Sequence, residues 1–305
     1  MTIDDLNGII AYPVTPFRGE QPGIDEDAFR QVTENLLRSK PAAIAYLGST
    51  GESAYLTDEE WRQAAKLGVD TVRGRVPVIV GISELTTAAA TQKARYAEEV
   101  GADMLMVIPV SYWKLAEDEI YDHFAAIAQA SDLPIMAYNN PATSGVDMPP
   151  ALLVELVHEL KTVVSIKESS GDLNRMHAIQ TLSQGQIPFY SGSNHLTLEA
   201  LAAGASGWCT AAPNLLDHRP AELFERMSRS EIGTARELFY DLFPLLEFIV
   251  RGGLPTTVKA GLRLRGIEAG DPRLPLKPLP GAERGKLAGY LETIGVTPVP
   301  QEVTA

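Results

Sequence analysis

The apolar positions of the chain fall into two alternating patterns. Short, nearly uninterrupted apolar runs recur: GIIAYPVTPF (8–17), AAIAYLGS (42–49), PVIVGIS (77–83), DMLMVIPV (103–110), PIMAYNNP (134–141), VVSIKESS (163–170), PFYSGSN (188–194) and SGWCTAA (206–212). Several lack the every-other-residue polarity of a half-exposed strand, so they read as strands buried on both faces. Between them lie stretches with helical spacing, over 25–39, 57–74, 86–102, 116–131, 149–161, 172–184 and 195–205. Asp25 is placed to cap the first. Thr57 with Glu60 three residues on forms a capping box for the second, and Gly101 stops the third. The repeat of ~20 to 35 residues is one strand–helix unit. Eight units in series predict an α/β protein, a (β/α)8 TIM barrel, a fold that typically takes ~250 residues. The chain then continues with helical spacing through 219–250, 256–266 and 281–295, with a Pro-rich connection over 268–281. That is more than one closing helix. The expected division is a barrel over 1–224 and a C-terminal helical extension over 225–305 packed on it.

Composition narrows the function. The 305 residues are 45% apolar and 21% charged, with a net charge of −13, which argues against nucleic acid or an anionic membrane as a partner. A single cysteine, Cys209, excludes an intrachain disulfide and reads as strand packing. Asp4 and Asp5 stand where a signal peptide carries basic residues, and no apolar run reaches the ~18 residues of a membrane helix. A cytoplasmic protein is expected. The five histidines, at 123, 158, 177, 195 and 218, show no HxH or HExxH spacing, so no metal site is expected. GSTGES (48–53) matches neither a dinucleotide fingerprint nor a P-loop, and no cofactor is expected.

Chemistry in a barrel sits at the C-terminal ends of the strands. Four such ends stand out: GSTGES, IPVSYW (108–113), YNNPATSG (138–145) and IKESSGD (166–172). Lys167 ends an apolar strand. Alternation places Val163, Ser165 and Lys167 on the face towards the barrel axis, and Val164 and Ile166 on the helix side. Either Lys167 caps the strand in solvent, or it is held buried for chemistry. Burial favours a neutral amine, which attacks a carbonyl to form a Schiff base. Glu168 falls on the opposite face and is expected to brace the loop rather than pair with Lys167. GSTGES offers hydroxyls and backbone N–H groups suited to a carboxylate, or it is an ordinary Gly-rich turn. Tyr138 is either a proton shuttle or an aromatic filling the barrel top.

In this order and spacing, GSTGES, YNNPATSG and SIKESSGD resemble the dihydrodipicolinate synthase and N-acetylneuraminate lyase superfamily of class I aldolases. GIIAYPVTPF, FYSGSNHLTLEALAAGASG and GGLPTTVKAGLRLRG extend the resemblance over nearly the whole chain. The resemblance implies that Lys167 forms a Schiff base with a 2-oxo acid and that Tyr138 is the general acid/base. Ser49, Thr50 and Gly51 would hold the substrate carboxylate, and Thr50 would pass protons to Tyr138. The relay would end in Tyr112, supplied by a neighbouring subunit, with Ser111 the alternative. A homotetramer built as a dimer of dimers is implied. Asn139, Asn140, Thr143, Ser191 and Asn194 are candidates for the rest of the substrate. The synthases carry an arginine five residues after the tyrosine, where this chain has Thr143, which cannot replace a charge-assisted contact. The expected activity is therefore retro-aldol cleavage of a 2-oxo-3-deoxy acid to pyruvate and an aldehyde. Dehydration or deamination of a 2-oxo acid, dihydrodipicolinate synthesis, and a non-catalytic acid-binding barrel are the alternatives.

Overall fold

The structure is a computed structural model that describes residues 6–19 and 23–296; Asp4 and Asp5 lie outside the described residues. Eight parallel strands close into a barrel in chain order: β1 (Gly8–Ala11), β2 (Ala43–Tyr46), β3 (Val78–Gly81), β4 (Met104–Val107), β5 (Ile135–Asn139), β6 (Val163–Glu168), β7 (Phe189–Ser191) and β8 (Gly207–Thr210). Each lies within one of the eight apolar runs. The helices between them are α1 (Glu26–Arg38), α2 (Asp58–Val72), α3 (Thr87–Glu99), α4 (Glu117–Ala130), the short α5 (Pro141–Ser144), α6 (Pro150–Glu159), α7 (Leu173–Leu182) and α8 (Thr197–Ala202). The caps form as the sequence predicts. Asp25 accepts from the Ala28 amide at 3.0 Å, and Thr57 and Glu60 exchange the two bonds of a capping box. Gly101 follows α3 with φ +86°.

After β8 come α9 (Pro213–Leu216), α10 (Arg219–Ser228), α11 (Ile232–Gly252), α12 (Leu254–Leu264) and α13 (Gly281–Ile294). The expected junction at 225 lies inside α10. That helix packs on β1 and closes the helical ring, so we place the start of the extension at α11.

Two apolar layers follow from strand alternation. The outer faces of the strands pack against the helices through residues such as Ile44, Val80, Leu105 and Ile166. The barrel interior holds Ile10, Ala45, Ile79, Met106, Met136 and Tyr190. β6 departs from regular alternation at its start. Its pairing with β5 steps from Ile135–Val163 to Met136–Ser165, a bulge that uses one extra residue. Val163 consequently packs outward beside Ile166, and Val164 packs on the interior cluster, the reverse of what unbroken alternation predicts. Beyond the bulge the parity is regular. No helix among the described residues is long and apolar enough to cross a membrane.

Candidate active site

The register of β5, β6 and β7 builds the site. Tyr138, Lys167 and Tyr190 pair side by side across the three strands, and one residue on, so do Asn139, Glu168 and Ser191. Successive side chains point to opposite faces, so the first row faces the barrel interior and the second row the helices. This division sorts the candidate residues.

Lys167 is 5% exposed, so it does not end its strand in solvent. Its ammonium lies between two aromatic rings, 3.8 Å from the centroid of Tyr138 and 4.0 Å from that of Tyr12, with Met106 Sδ at 4.0 Å. Among the described residues it has no ion-pair partner. The two ring faces flank the Lys167 amino group, which lines the cavity described below. Glu168, fully buried, turns away as expected. It accepts from Asn139 Nδ2 at 3.1 Å, from the Ser170 amide at 2.6 Å and from Arg175 Nε at 3.3 Å, and so holds the loop after β6.

The Tyr138 hydroxyl accepts a 3.0 Å hydrogen bond from Asn140 Nδ2, which leaves its own proton free to be donated. Both residues line a cavity of about 440 Å³ that opens at the C-terminal ends of the strands. Ser49 and Thr50 enter it from the turn after β2. The Gly51 and Glu52 amides are used within that turn, to Gly48 O at 3.0 Å and Ser49 O at 3.2 Å, whereas those of Ser49 and Thr50 make no such turn bond. Thr143 is exposed on the cavity rim, and Asn194 is buried in its wall. Asn194 Oδ1 accepts from Thr210 Oγ1 at 2.8 Å, and its buried Nδ2 has no hydrogen-bond partner among the described residues.

Five candidate residues, counting Ser111 as the alternative to Tyr112, lie outside the cavity lining. Ser191 belongs to the outward row, and its hydroxyl serves the loop at Ser193. Asn139, also outward, spends its amide on Asp147, Glu168 and the Met148 amide. Gly51 does not line the cavity; its carbonyl accepts from Thr15 Oγ1 at 2.7 Å. Tyr112 is 90% exposed at the tip of the β4–α4 loop, stacked edge-on with Trp113, and no part of this chain's own cavity. Ser111 caps that loop by accepting from the Trp113 amide.

The structure adds residues that the motifs did not single out. Tyr12 and Cys209 form the floor beneath Lys167, Ser169 and Ser193 the wall, and Val250 and Leu254 of the extension the mouth. Burial pushes both the Tyr12 hydroxyl and the Cys209 thiol up from their ordinary values, so both stay protonated at neutral pH. Cys209 therefore packs the floor rather than acting as a thiolate. Two glycines make room. A Cβ at Gly48 would lie 3.1 Å from the Tyr12 ring. One at Gly192 would lie 1.7 Å from Ser169 Oγ and 3.0 Å from Lys167 Cε. Among the described residues no group of His, Cys, Asp and Glu is arranged to hold a metal ion.

Comparison with known proteins identifies the family. The chain is 32% identical over 293 residues to the 4-hydroxy-tetrahydrodipicolinate synthase of Methanopyrus kandleri, covering 96% of this chain and 98% of that one. It is 34% identical to that of Thermomicrobium roseum over 286 residues, 94% of each chain. A crystal structure from Pseudomonas aeruginosa, provisionally named a dihydrodipicolinate synthetase, superposes with a TM-score of 0.93 at 47% identity, covering 94% of this chain and 99% of that one. The Aquifex aeolicus dihydrodipicolinate synthase superposes with a TM-score of 0.90 at 30% identity, over 97% and 100%. The model of the dihydrodipicolinate synthetase family matches residues 5–294, and the chain belongs to that family of class I lyases.

Proposed function

We propose that this protein holds a 2-oxo acid as a Schiff base on Lys167 and cleaves a hydroxylated 2-oxo-3-deoxy acid to pyruvate and an aldehyde. The observation that carries this reading is the cavity itself. It has one buried, unpaired lysine at its base, a tyrosine against it, and walls of hydroxyls and amides with no arginine among the lining residues.

In this reading the Lys167 amine attacks the C2 carbonyl, and water leaves to give a protonated imine. The Ser49–Thr50 turn holds the substrate carboxylate. Tyr138, oriented by Asn140, gives its proton to the carbinolamine hydroxyl as it leaves as water, and the resulting phenolate takes the proton of the C4 hydroxyl. The C3–C4 bond breaks, the aldehyde departs, and the bonding pair enters the imine as an enamine. Protonation of the enamine at C3 and hydrolysis of the imine release pyruvate and free Lys167. Thr50 passes protons to Tyr138, and the exposed Tyr112 completes the relay in a neighbouring subunit of a homotetramer. Asn140, Thr143, Ser169 and Asn194 receive the hydroxylated end of the substrate. The same protonated imine supports loss of water or ammonia from a different 2-oxo acid.

The names of the relatives support a second reading, condensation of pyruvate with aspartate semialdehyde. Aspartate semialdehyde brings a carboxylate of its own, and Thr143 offers it a single uncharged donor where an arginine would offer a charged, bidentate one. A charge-assisted bond contributes ~1.5 to 3 kcal/mol, about ten- to a hundredfold in kcat/KM. A screen of 2-oxo-3-deoxy sugar acids, with pyruvate and ammonia release followed together, separates cleavage from deamination. In a coupled assay with the next reductase of lysine synthesis, kcat/KM above ~10⁴ M⁻¹s⁻¹, the low end for ordinary enzymes, replaces the cleavage reading with the synthase.

A further inference from the structure

The turn that supplies Ser49 and Thr50 is held in an unfavourable shape. Glu52, two residues after Thr50, has φ 57° and ψ 32°, the left-handed region that a side-chain-bearing residue avoids unless its surroundings enforce it. Its side chain is fully buried and does not line the cavity. One carboxylate oxygen accepts from the Arg273 amide at 2.7 Å. The other lies 2.7 Å from Lys259 Nζ, a charge contact off the hydrogen-bond axis.

Lys259 sits in the middle of α12 with its side chain 1% exposed. Its ammonium also donates to Asp271 O at 3.2 Å and lies 4.0 Å from the Phe17 ring centroid. The charged groups around it are Glu52, Asp271 and Arg273. Burial pushes Lys259 down to about 8, and the Glu52 carboxylate opposes that shift, so the ammonium form of Lys259 prevails at neutral pH. Leu254, the first residue of the same helix, lines the cavity mouth. α12 thus touches the site at its mouth and grips the turn from behind.

We propose that the buried Lys259–Glu52 ion pair holds the Gly48–Glu52 turn in the form that binds the 2-oxo acid carboxylate, making Lys259 a positioning residue of the site. This rests on the reading that Ser49 and Thr50 receive that carboxylate. Removing one partner leaves the other charge buried without compensation, and the turn must rearrange to hydrate it or relax Glu52 out of the left-handed region. Lys259 contacts neither substrate nor Lys167, so its loss weakens binding more than turnover.

The test uses Lys259→Met, Glu52→Gln and the double variant, with pyruvate as the probe. Borohydride trapping as a function of pyruvate concentration gives an apparent affinity and, at saturation, a trapping rate. Each single variant is expected to weaken the affinity at least tenfold, with the saturated rate within about threefold of the unmodified protein. The double variant is expected to lose less than the product of the single losses, because no lone charge remains buried. Thermal melting accompanies each sample, and if Lys259→Met does not fold, the isosteric Glu52→Gln carries the test. Unchanged affinity in the single variants, or loss of saturated rate in parallel with affinity, overturns the proposal. Absence of any adduct in the unmodified protein overturns the Schiff-base reading instead.

Discussion

Gly192→Ala is a one-carbon probe of how tightly the lysine is held. The backbone at Gly192 is outside the left-handed region, so alanine is conformationally acceptable and only space opposes it. The added carbon would lie 1.7 Å from Ser169 Oγ, 2.9 Å from Ser169 Cβ and 3.0 Å from Lys167 Cε. Ordinary carbon–carbon contact is at ~3.5–4.0 Å. The Ser169 hydroxyl can rotate away. Ser169 Cβ and Lys167 Cε are each about 0.5 to 1 Å too close, and Lys167 Cε carries the reacting nitrogen. Overpacking of this kind costs ~1–3 kcal/mol. Displacing Nζ by about 0.5 to 1 Å lowers the rate by up to ~10²-fold. Rates of borohydride trapping with pyruvate, and thermal melts of the same samples, measure both. Adding Ser169→Gly removes one of the two close contacts and is expected to recover part of each loss. Wild-type trapping and melting in Gly192→Ala refute this account of the site's packing.

Tyr138→Phe keeps the ring beside Lys167 and removes only the hydroxyl that Asn140 orients. It is expected to lower kcat by ~10²- to 10⁴-fold without altering the melt, and an unchanged kcat reduces the tyrosine to packing. Glu168→Ala leaves Asn139, the Ser170 amide and Arg175 without their buried acceptor. The expected loss is ~3 kcal/mol in chemical denaturation, the low end for a broken buried pair, because Arg175 keeps Asp147 at 3.0 Å; a loss under ~1 kcal/mol contradicts the bracing role. Burial pushes His123 below its ordinary value. Its unfolded value is ~6.5, so above that pH both states are neutral and nothing is lost. As pH falls below ~6.5 the unfolded chain takes up the proton first, and stability drops. The melting temperature between pH 7 and 5 is expected to fall more steeply in the unmodified protein than in His123→Gln, and equal slopes contradict the assignment.

The eight strands were legible because strands buried on both faces leave unbroken apolar runs, and the order of those runs is the order around the barrel. Lys167 was legible because strand parity from Ser165 onward is regular. The swap of Val163 and Val164 was not, because a bulge is a property of two paired strands and leaves no mark in either alone. Ser191 and Asn139 lie in the loop-end motifs that attract substrate assignments, yet each follows an inward tyrosine and so must point outward. Tyr12 could have been found by the same rule, since it follows the inward Ile10 by two residues. Nothing local marks Val250 and Leu254, which reach the cavity mouth only because the extension folds back over the barrel. The Glu52–Lys259 contact spans two distant motifs that the sequence treats separately.

The Schiff base on Lys167 is the claim on which the rest depends. Incubation with pyruvate, reduction with borohydride and peptide mapping by mass spectrometry test it directly. The account predicts one stable adduct, on the peptide containing Lys167 and on that side chain, and its absence from Lys167→Ala. A stable adduct on another lysine, or none at saturating pyruvate, contradicts it.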